Sequence, residues 1–404
     1  MHQTRRQLLT TVGLGGAALA LPRVARAQKK YDPGATDTEI KIGSTKPYAG
    51  PLASLGTSGR CQTAFFNMIN AEGGINGRKI TFISYDDAYS PPKTVEQTRK
   101  LVESDRVLLV FNGIGTPTNT AIHKYMNQSM VPQLFIGTGA SKFADPQHFP
   151  WTMPFGANYW GEGRVYANYI LTNHPDAKIG VLYQNDDFGK DYLNGLKEGL
   201  GEKAGSAIVM AAPYDPFDAT VDSQIVSIRS AGADLFFNVA IPKFAAQAIR
   251  KAAEMGWKPV QILPATVPAA QTFKAAGVER CKGIVSSSWI KDVADPIWKS
   301  DAGYKEWVAF MDQWYPQGDK TDGSNAYAYT AAQALVQVLK QCGDDLTREN
   351  VMRQAANLHH IALPMLLPGI TINTSPSDFH PIKQERMGWF NGEHWVPFGA
   401  LLTA

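Results

Sequence analysis

VLLVFNGIGTPTNTAIHKYMNQSMVPQLFIGTGAS, residues 107–141, decides how the rest of the chain is read. Val107–Phe111 is an unbroken apolar run, short enough for a buried strand. The loop Asn112-Gly113-Ile114-Gly115 follows; Thr116 is placed as a helix N-cap and Pro117 as the first helical residue. The spacing predicts a helix over Pro117–Gln128, a strand over Pro132–Ile136 and a second small-residue loop, Gly137-Thr138-Gly139-Ala140-Ser141. Strand, loop, helix, strand is the βαβ unit, which implies a parallel sheet covered by helices.

The same rhythm runs outward in both directions. Upstream, Ile40–Ser44 and Lys79–Tyr85 read as strands, and Gly59–Ala71 and Pro91–Ser104 as helices. Downstream, helices over Asn158–Thr172, Phe188–Ala204, Val221–Ala231 and Ile241–Met255 alternate with strands over Lys178–Tyr183, Ala207–Ala211, Asp234–Val239 and Val260–Leu263. The two series predict two α/β lobes of like architecture, and 404 residues exceed what one core usually serves. The tail differs, with helices over Tyr304–Trp314, Asn325–Gln341 and Thr347–Ala356 ahead of a hairpin signal. That signal is Met387–Phe390, Asn391-Gly392, His394–Phe398, where Asn-Gly suits a type I′ turn. No low-complexity linker separates the series, so the chain is expected to cross between lobes several times.

Residues 1–27 read as a secretory leader. Arg5-Arg6 precede an apolar run from Leu8 to Leu21, and Ala25-Arg26-Ala27 is a small-x-small cleavage pattern. The twin arginine suggests the Tat route. The run is shorter than the roughly 20 residues that span a bilayer. The whole chain carries 39 basic and 36 acidic residues, net +3. Four of the basic residues, Arg5, Arg6, Arg23 and Arg26, belong to the leader, which leaves 35 against 36, about −1. There is thus no basic field for nucleic acid. Cys61, Cys281 and Cys342 show no CxxC spacing, so neither zinc nor a redox dithiol is expected. Cys61 reads as a buried core thiol, and a Cys281–Cys342 pair is left open.

Several further stretches carry a resemblance. They are Pro47-Tyr48-Ala49-Gly50-Pro51, Gly73-Gly74-Ile75-Asn76-Gly77-Arg78-Lys79 with Asp86-Asp87, Val131-Pro132, Thr138-Gly139-Ala140-Ser141, Asp187-Phe188-Gly189 and Asp378-Phe379-His380-Pro381. In this order, over essentially the whole mature chain, they resemble the type I periplasmic solute-binding proteins of ABC transporters, in the branched-chain amino acid (leucine/isoleucine/valine-binding) family. The resemblance implies an α/β fold of two doubly wound parallel-sheet lobes joined by a three-segment hinge. Crossings are expected near Phe155–Asn158, Ser287–Lys291 and Leu366–Ile372. The first lobe would take residues 38–156 plus 290–367, and the second 157–289 plus 368–404. It implies a periplasmic protein, expected to be a monomer, that closes on a small molecule and delivers it to an ABC permease and its ATPase subunits, with no metal or cofactor. The chain has no GxxxxGK[ST] loop of its own.

In open α/β sheets ligands bind beyond the carboxyl ends of the strands. The resemblance places a ligand carboxylate on the loops around Gly115 and Thr116 and around Gly137, Thr138 and Gly139, whose small residues expose backbone donors. It places pocket walls at Tyr48 and Leu55, an aromatic over the ligand at Phe188, and second-lobe positions at Ala240 and Thr266; Trp160 is a further candidate wall. Two departures stand out. The family's acid for the ligand ammonium is missing after Val260–Leu263, where no Asp or Glu occurs between Glu254 and Glu279, and Ala240 stands where an aromatic is expected. A buried ammonium without an anion is costly. The expected ligand is therefore an aromatic or other non-amino carboxylic acid, or a neutral amide, unless Asp186, Asp187 or Asp215 supplies the charge. A branched-chain or aliphatic amino acid is the alternative, and a sensor docking on a signalling partner is the rival outside transport. Asp86 and Asp87 are expected to bond loop amides. GxSxG, HExxH and CxxC patterns are all absent, so no enzyme is expected.

Overall fold

The computed structural model describes residues 29–267 and 269–403, so the expected leader lies outside the described residues. The strands of the first lobe are β1 (Lys30–Tyr31), β2 (Glu39–Lys46), β3 (Lys79–Asp86), β4 (Leu109–Phe111), β5 (Gln133–Ile136) and β6 (Thr152–Pro154). The second series is β7 (Ile179–Gln184), β8 (Ile208–Tyr214), β9 (Leu235–Val239), β10 (Val260–Ile262) and β11 (Val285–Ser288). The short β12 (Asp345–Leu346) then pairs with β1, and β13 (Gln384–Phe390), β14 (Trp395–Pro397) and β15 (Leu402–Thr403) complete the set.

Both lobes use one topology. The first sheet runs β3-β2-β4-β5-β6, all parallel. The second runs β8-β7-β9-β10-β11, also parallel, and is extended by antiparallel β13 and β14. In each, the order reverses beside the second strand of the path, the switch point of an open α/β sheet. The apolar run at residues 107–111 shows why the strands are legible. Leu109 and Phe111 face one core and Val110 the core on the other side, so the strand is buried on both faces.

The helical tail belongs to the first lobe: Trp307, Phe310, Tyr329 and Leu335 pack in its core. So do Ile370, Ile372, Phe379 and Ile382, which sequence reasoning had assigned to the second lobe. The chain enters the second sheet only at Gln384. The segment around Leu366 instead pairs with the second crossing, where the Leu367 amide donates to the Trp289 carbonyl at 3.0 Å.

The hairpin forms, but not with a type I′ turn. Gly392 has a positive φ and Asn391 does not. The Asn391 side-chain oxygen accepts from the Glu393 and His394 amides at 2.8 and 2.9 Å, giving a four-residue loop between Phe390 and Trp395. Cys281 lies in the second core and Cys342 in the first, and all three cysteines are free and buried.

Candidate functional site

A cavity of about 370 Å³ lies between the lobes at the carboxyl ends of the strands. Nine of the ten sequence-derived positions line it: Leu55, Gly115, Thr116, Gly137, Thr138, Gly139, Phe188, Ala240 and Thr266. Tyr48 does not. Its hydroxyl shares a 2.7 Å hydrogen bond with Ser84, and Arg60 lies over its ring. Tyr89 stands at the cavity in its place, from the loop after β3. Trp160 is also outside, bonded to Glu198 on the outer surface of its helix.

The first-lobe wall holds Leu52, Leu55, Tyr89 and Tyr327, and between them a seat built from backbone and hydroxyls. The helix spans Thr116–Gln128 with Gly115 as its N-cap, so Thr116 is its first residue and not the cap. No side chain caps this helix. The Thr116 hydroxyl instead meets that of Thr138 at 2.8 Å across the two loops. First-turn amides have no intrahelical acceptor, and together with the helix dipole they favour an anion. Gly115 needs to be glycine: its φ is +102°, and a Cβ there would sit 2.3 Å from the Tyr89 ring. At Gly139 a Cβ would fall 1.9 Å from the Ala157 carbonyl oxygen, on the first crossing. The two loops are joined where the Gly115 amide donates to the Gly137 carbonyl at 3.1 Å.

The second-lobe wall is aromatic. Asp186 caps the helix Asp187–Leu200, accepting from the Phe188 and Gly189 amides, and this fixes Phe188 over the cavity. Phe188 packs edge-on against Tyr159 and Tyr192, at centroid distances of 5.3 and 5.6 Å. Ala240 follows β9 directly, and its small side chain lines the cavity beside them.

A second-lobe acid does reach the site, but it is Glu162 and none of Asp186, Asp187 and Asp215 that the sequence left open. Glu162 lines the cavity from the helix Tyr159–Asn173 and is 1% exposed. One oxygen accepts from the Tyr166 hydroxyl (2.6 Å), the Ala265 amide (2.7 Å) and the Ser287 hydroxyl (3.3 Å); the other accepts from the Tyr192 hydroxyl (2.6 Å). Burial pushes its carboxyl above the usual range. Three of these donors crowd one oxygen and one reaches the other, so protein groups hold most of this carboxyl's acceptor positions. The pattern of residues after β10 carried no sign of it, because Glu162 comes from a helix about a hundred residues upstream. Asp186, Asp187 and Asp215 do not line the cavity. Asp186 is the helix cap, Asp187 is paired with Lys142, and Asp215 accepts from the Phe217 amide.

The lobes touch across the cleft. The Ser141 amide and hydroxyl donate to Asp191 at 2.7 and 3.0 Å, beside the Lys142–Asp187 pair. The Gln184 side chain donates to the Tyr89 hydroxyl at 3.2 Å. Gln271 meets Asp322 on another edge. Asp86 accepts from the Tyr48, Ala49 and Ala88 amides and Asp87 from that of Tyr89, as expected of loop-bonding acids.

Two like sheets facing each other across a lined cleft is the arrangement of a two-lobed binding protein, and a match to the family model described as periplasmic binding protein runs over residues 39–387. The chain belongs to the periplasmic binding protein family. Among curated relatives, Leu/Ile/Val-binding protein homolog 7 of Brucella abortus (strain 2308) is 26% identical over 250 residues, which cover 60% of this chain and 62% of that protein. The chain thus spans about three fifths of the length of the curated relatives it matches. Among solved structures, a branched-chain amino acid ABC transporter protein from Thermus thermophilus with bound valine aligns with a TM-score of 0.82 at 14% identity, covering 92% of this chain and 98% of that one. A substrate-binding periplasmic protein from Ralstonia solanacearum gives 0.80 at 21% identity, covering 89% and 100%. A fatty acid ABC transporter substrate-binding protein from Thermomonospora curvata gives 0.76 at 20%, covering 93% and 95%.

Proposed function

We propose that this chain is the extracytoplasmic, monomeric substrate-binding component of an ABC importer, and that it closes on a small carboxylate-bearing molecule with an apolar body. The observation that carries the reading is the pairing of walls. Thr116, Thr138 and the first-turn amides offer donors on one side, and Phe188, Tyr159 and the space at Ala240 accept an apolar group on the other. Core membership supports a first lobe of residues 29–157 with 289–382 and a second of 158–288 with 383–403. Hinge motion between them exposes the seat, and closure brings Phe188 over it. Water is excluded and the seat's hydrogen bonds strengthen.

The cavity volume suits a ligand larger than a branched-chain side chain, since sites for drug-sized molecules begin near about 300 Å³. The names of the neighbours span that range, from bound valine in the Thermus protein to fatty acid transport in the Thermomonospora one. A second reading, an aliphatic amino acid, rests on Glu162 as the partner of an ammonium. It is the weaker of the two because protein donors already occupy that carboxylate.

Thermal unfolding of residues 28–404 tests this with leucine, valine, benzoate, octanoate, succinate and benzamide. A ligand that binds only the folded state stabilises by RT ln(1 + [L]/Kd). Shifts with benzoate or octanoate and none with leucine or valine are expected. A shift confined to leucine or valine overturns the ligand class and assigns Glu162 to the ammonium.

A further inference from the structure

Lys46, the last residue of β2, is fully buried. Its ammonium donates to the Asn112 backbone oxygen at 2.6 Å and to the Asn112 side-chain oxygen at 2.9 Å. Among the described residues no carboxylate lies within ion-pair distance of it. Asn112 opens the loop that ends at Thr116, and it does so in the left-handed region, at φ +51°. The rest of its side chain is also held: Gln62 donates to its oxygen at 2.8 Å, and its amide donates to the Phe135 carbonyl and the Tyr327 hydroxyl at 2.7 and 2.9 Å. Tyr327 lines the cavity. A buried ammonium thus stands directly behind the loop that seats the ligand's acid end, touching only neutral oxygens.

A buried charge with no counter-ion is costly. We propose that Lys46 is a positioning residue for the ligand carboxylate: its ammonium holds Asn112, and with it residues 112–116, and supplies from behind that loop the counter-charge of an acid bound at Thr116 and Thr138. The inference rests on the carboxylate reading above. Behind a dry protein wall such a charge acts far more strongly than across water.

Asp87, Cys61 and Tyr48 stand near Lys46 and Tyr327 bonds Asn112; Tyr48, whose hydroxyl bonds Ser84, is pushed up by burial and keeps its proton. Asp87, on the loop after β3, favours the charged ammonium, though burial pushes its own carboxyl up. The Cys61 thiol, on the helix Thr57–Ala71, and the Tyr327 hydroxyl, on the helix Gly323–Cys342, are pushed up by burial and keep their protons at neutral pH. Burial lowers Lys46 itself to about 7. An acid in the seat favours the protonated lysine, so binding takes up protons near neutrality. Affinity then falls as pH rises above about 7, by roughly tenfold for each unit by which the ligand raises the lysine's pKa.

The test is titration calorimetry of wild type and Lys46→Met from pH 6 to pH 9, with benzoate, 4-methylvalerate and octanoate, each beside its amide. In wild type the acids weaken by about tenfold over this range and take up protons, read from buffers of different ionisation heat, while the amides stay flat. In Lys46→Met the acids bind more weakly at pH 6, with no pH slope. The acid-against-amide comparison in wild type stands even if the variant folds poorly. Acids that bind with a flat profile, or whose slope persists in Lys46→Met and so belongs to Glu162, overturn the proposal while the carboxylate reading survives. If none of the three acids binds at any pH, that reading fails and the proposal with it.

Discussion

The two walls of the cleft stand on the same strand order but are made of different matter. On the first lobe the seat is loop backbone, two glycines with no room for a side chain and two threonine hydroxyls facing each other, with Leu55, Tyr89 and Tyr327 lining the cavity beside it. On the second it is mostly side chain, with the Phe188 and Tyr159 rings and the hydrogen-bonded Glu162. A shared topology therefore places a site at the strand ends without dictating its chemistry. The donor-rich wall can hold an acid while the lobes are apart, whereas the aromatic wall contributes only once they close. Lys46 adds to the asymmetry: its buried ammonium lies behind the seat and touches neutral oxygens, whereas Lys291, which lines the cavity, is paired with Asp301.

This contrast can be broken most forcefully at Phe188. Phe188→Ala removes a ring 6% exposed and packed on two tyrosines, so about 3–5 kcal/mol of stability should be lost, together with affinity. Denaturant unfolding reads the first. A loss below about 1 kcal/mol would mean that the aromatic wall is loosely packed and not a built surface.

A second test concerns the acids behind the aromatic wall. Glu385 on β13 is fully buried, with the Ser287 hydroxyl as its polar neighbour and, among the described residues, no cation to pair with. Burial first, and then the charge of Glu162, push its carboxyl well above the usual range. The folded state therefore holds this proton more tightly than the unfolded chain does. Its stabilising contribution is complete below the unfolded pKa, about 4.3, and is lost as pH rises toward the folded value. Glu385→Gln carries no such loss. Its unfolding temperature should exceed that of wild type by a margin that widens from pH 5 to pH 9; parallel curves would contradict the assignment.

The smallest effect is expected where the walls meet at the surface. Lys142 and Asp187 are both partly exposed, and pairs of this kind contribute about 0–1 kcal/mol. Lys142→Ala should weaken binding by less than about fivefold, through a less favoured closed form, and high salt should erase the difference. A larger, salt-independent loss in titration would make this pair part of the ligand site.

Much of this was legible in the sequence because the signals are local. The apolar run at 107–111, the glycines that follow and Pro117 at a helix start each act within a few residues, and they located both first-wall loops. Thr116 was placed one position off, because a threonine before a proline reads as a cap, while the real cap is a glycine with positive φ. Tyr48 and Tyr89 show a different failure. Both follow strands that end at the cleft, and which of the two turns inward depends on the left-handed backbone at Ala88 and Tyr89, which no residue type announces. Glu162 and Lys46 were missed for a third reason. Each is buried through contacts with segments 66 to 125 residues away, so its role exists only once the sheets are assembled.

The central claim is that the first wall binds an acid through Thr116 and Thr138. It is tested most directly by titrating wild type and the double variant Thr116→Val, Thr138→Val with benzoate and octanoate. Hydrogen bonds to a charged group contribute about 1.5–3 kcal/mol, so a loss of at least tenfold in affinity is predicted, beside a lower unfolding temperature because the Ala140 amide loses its Thr138 acceptor. Unchanged affinity in a folded double variant would contradict the account.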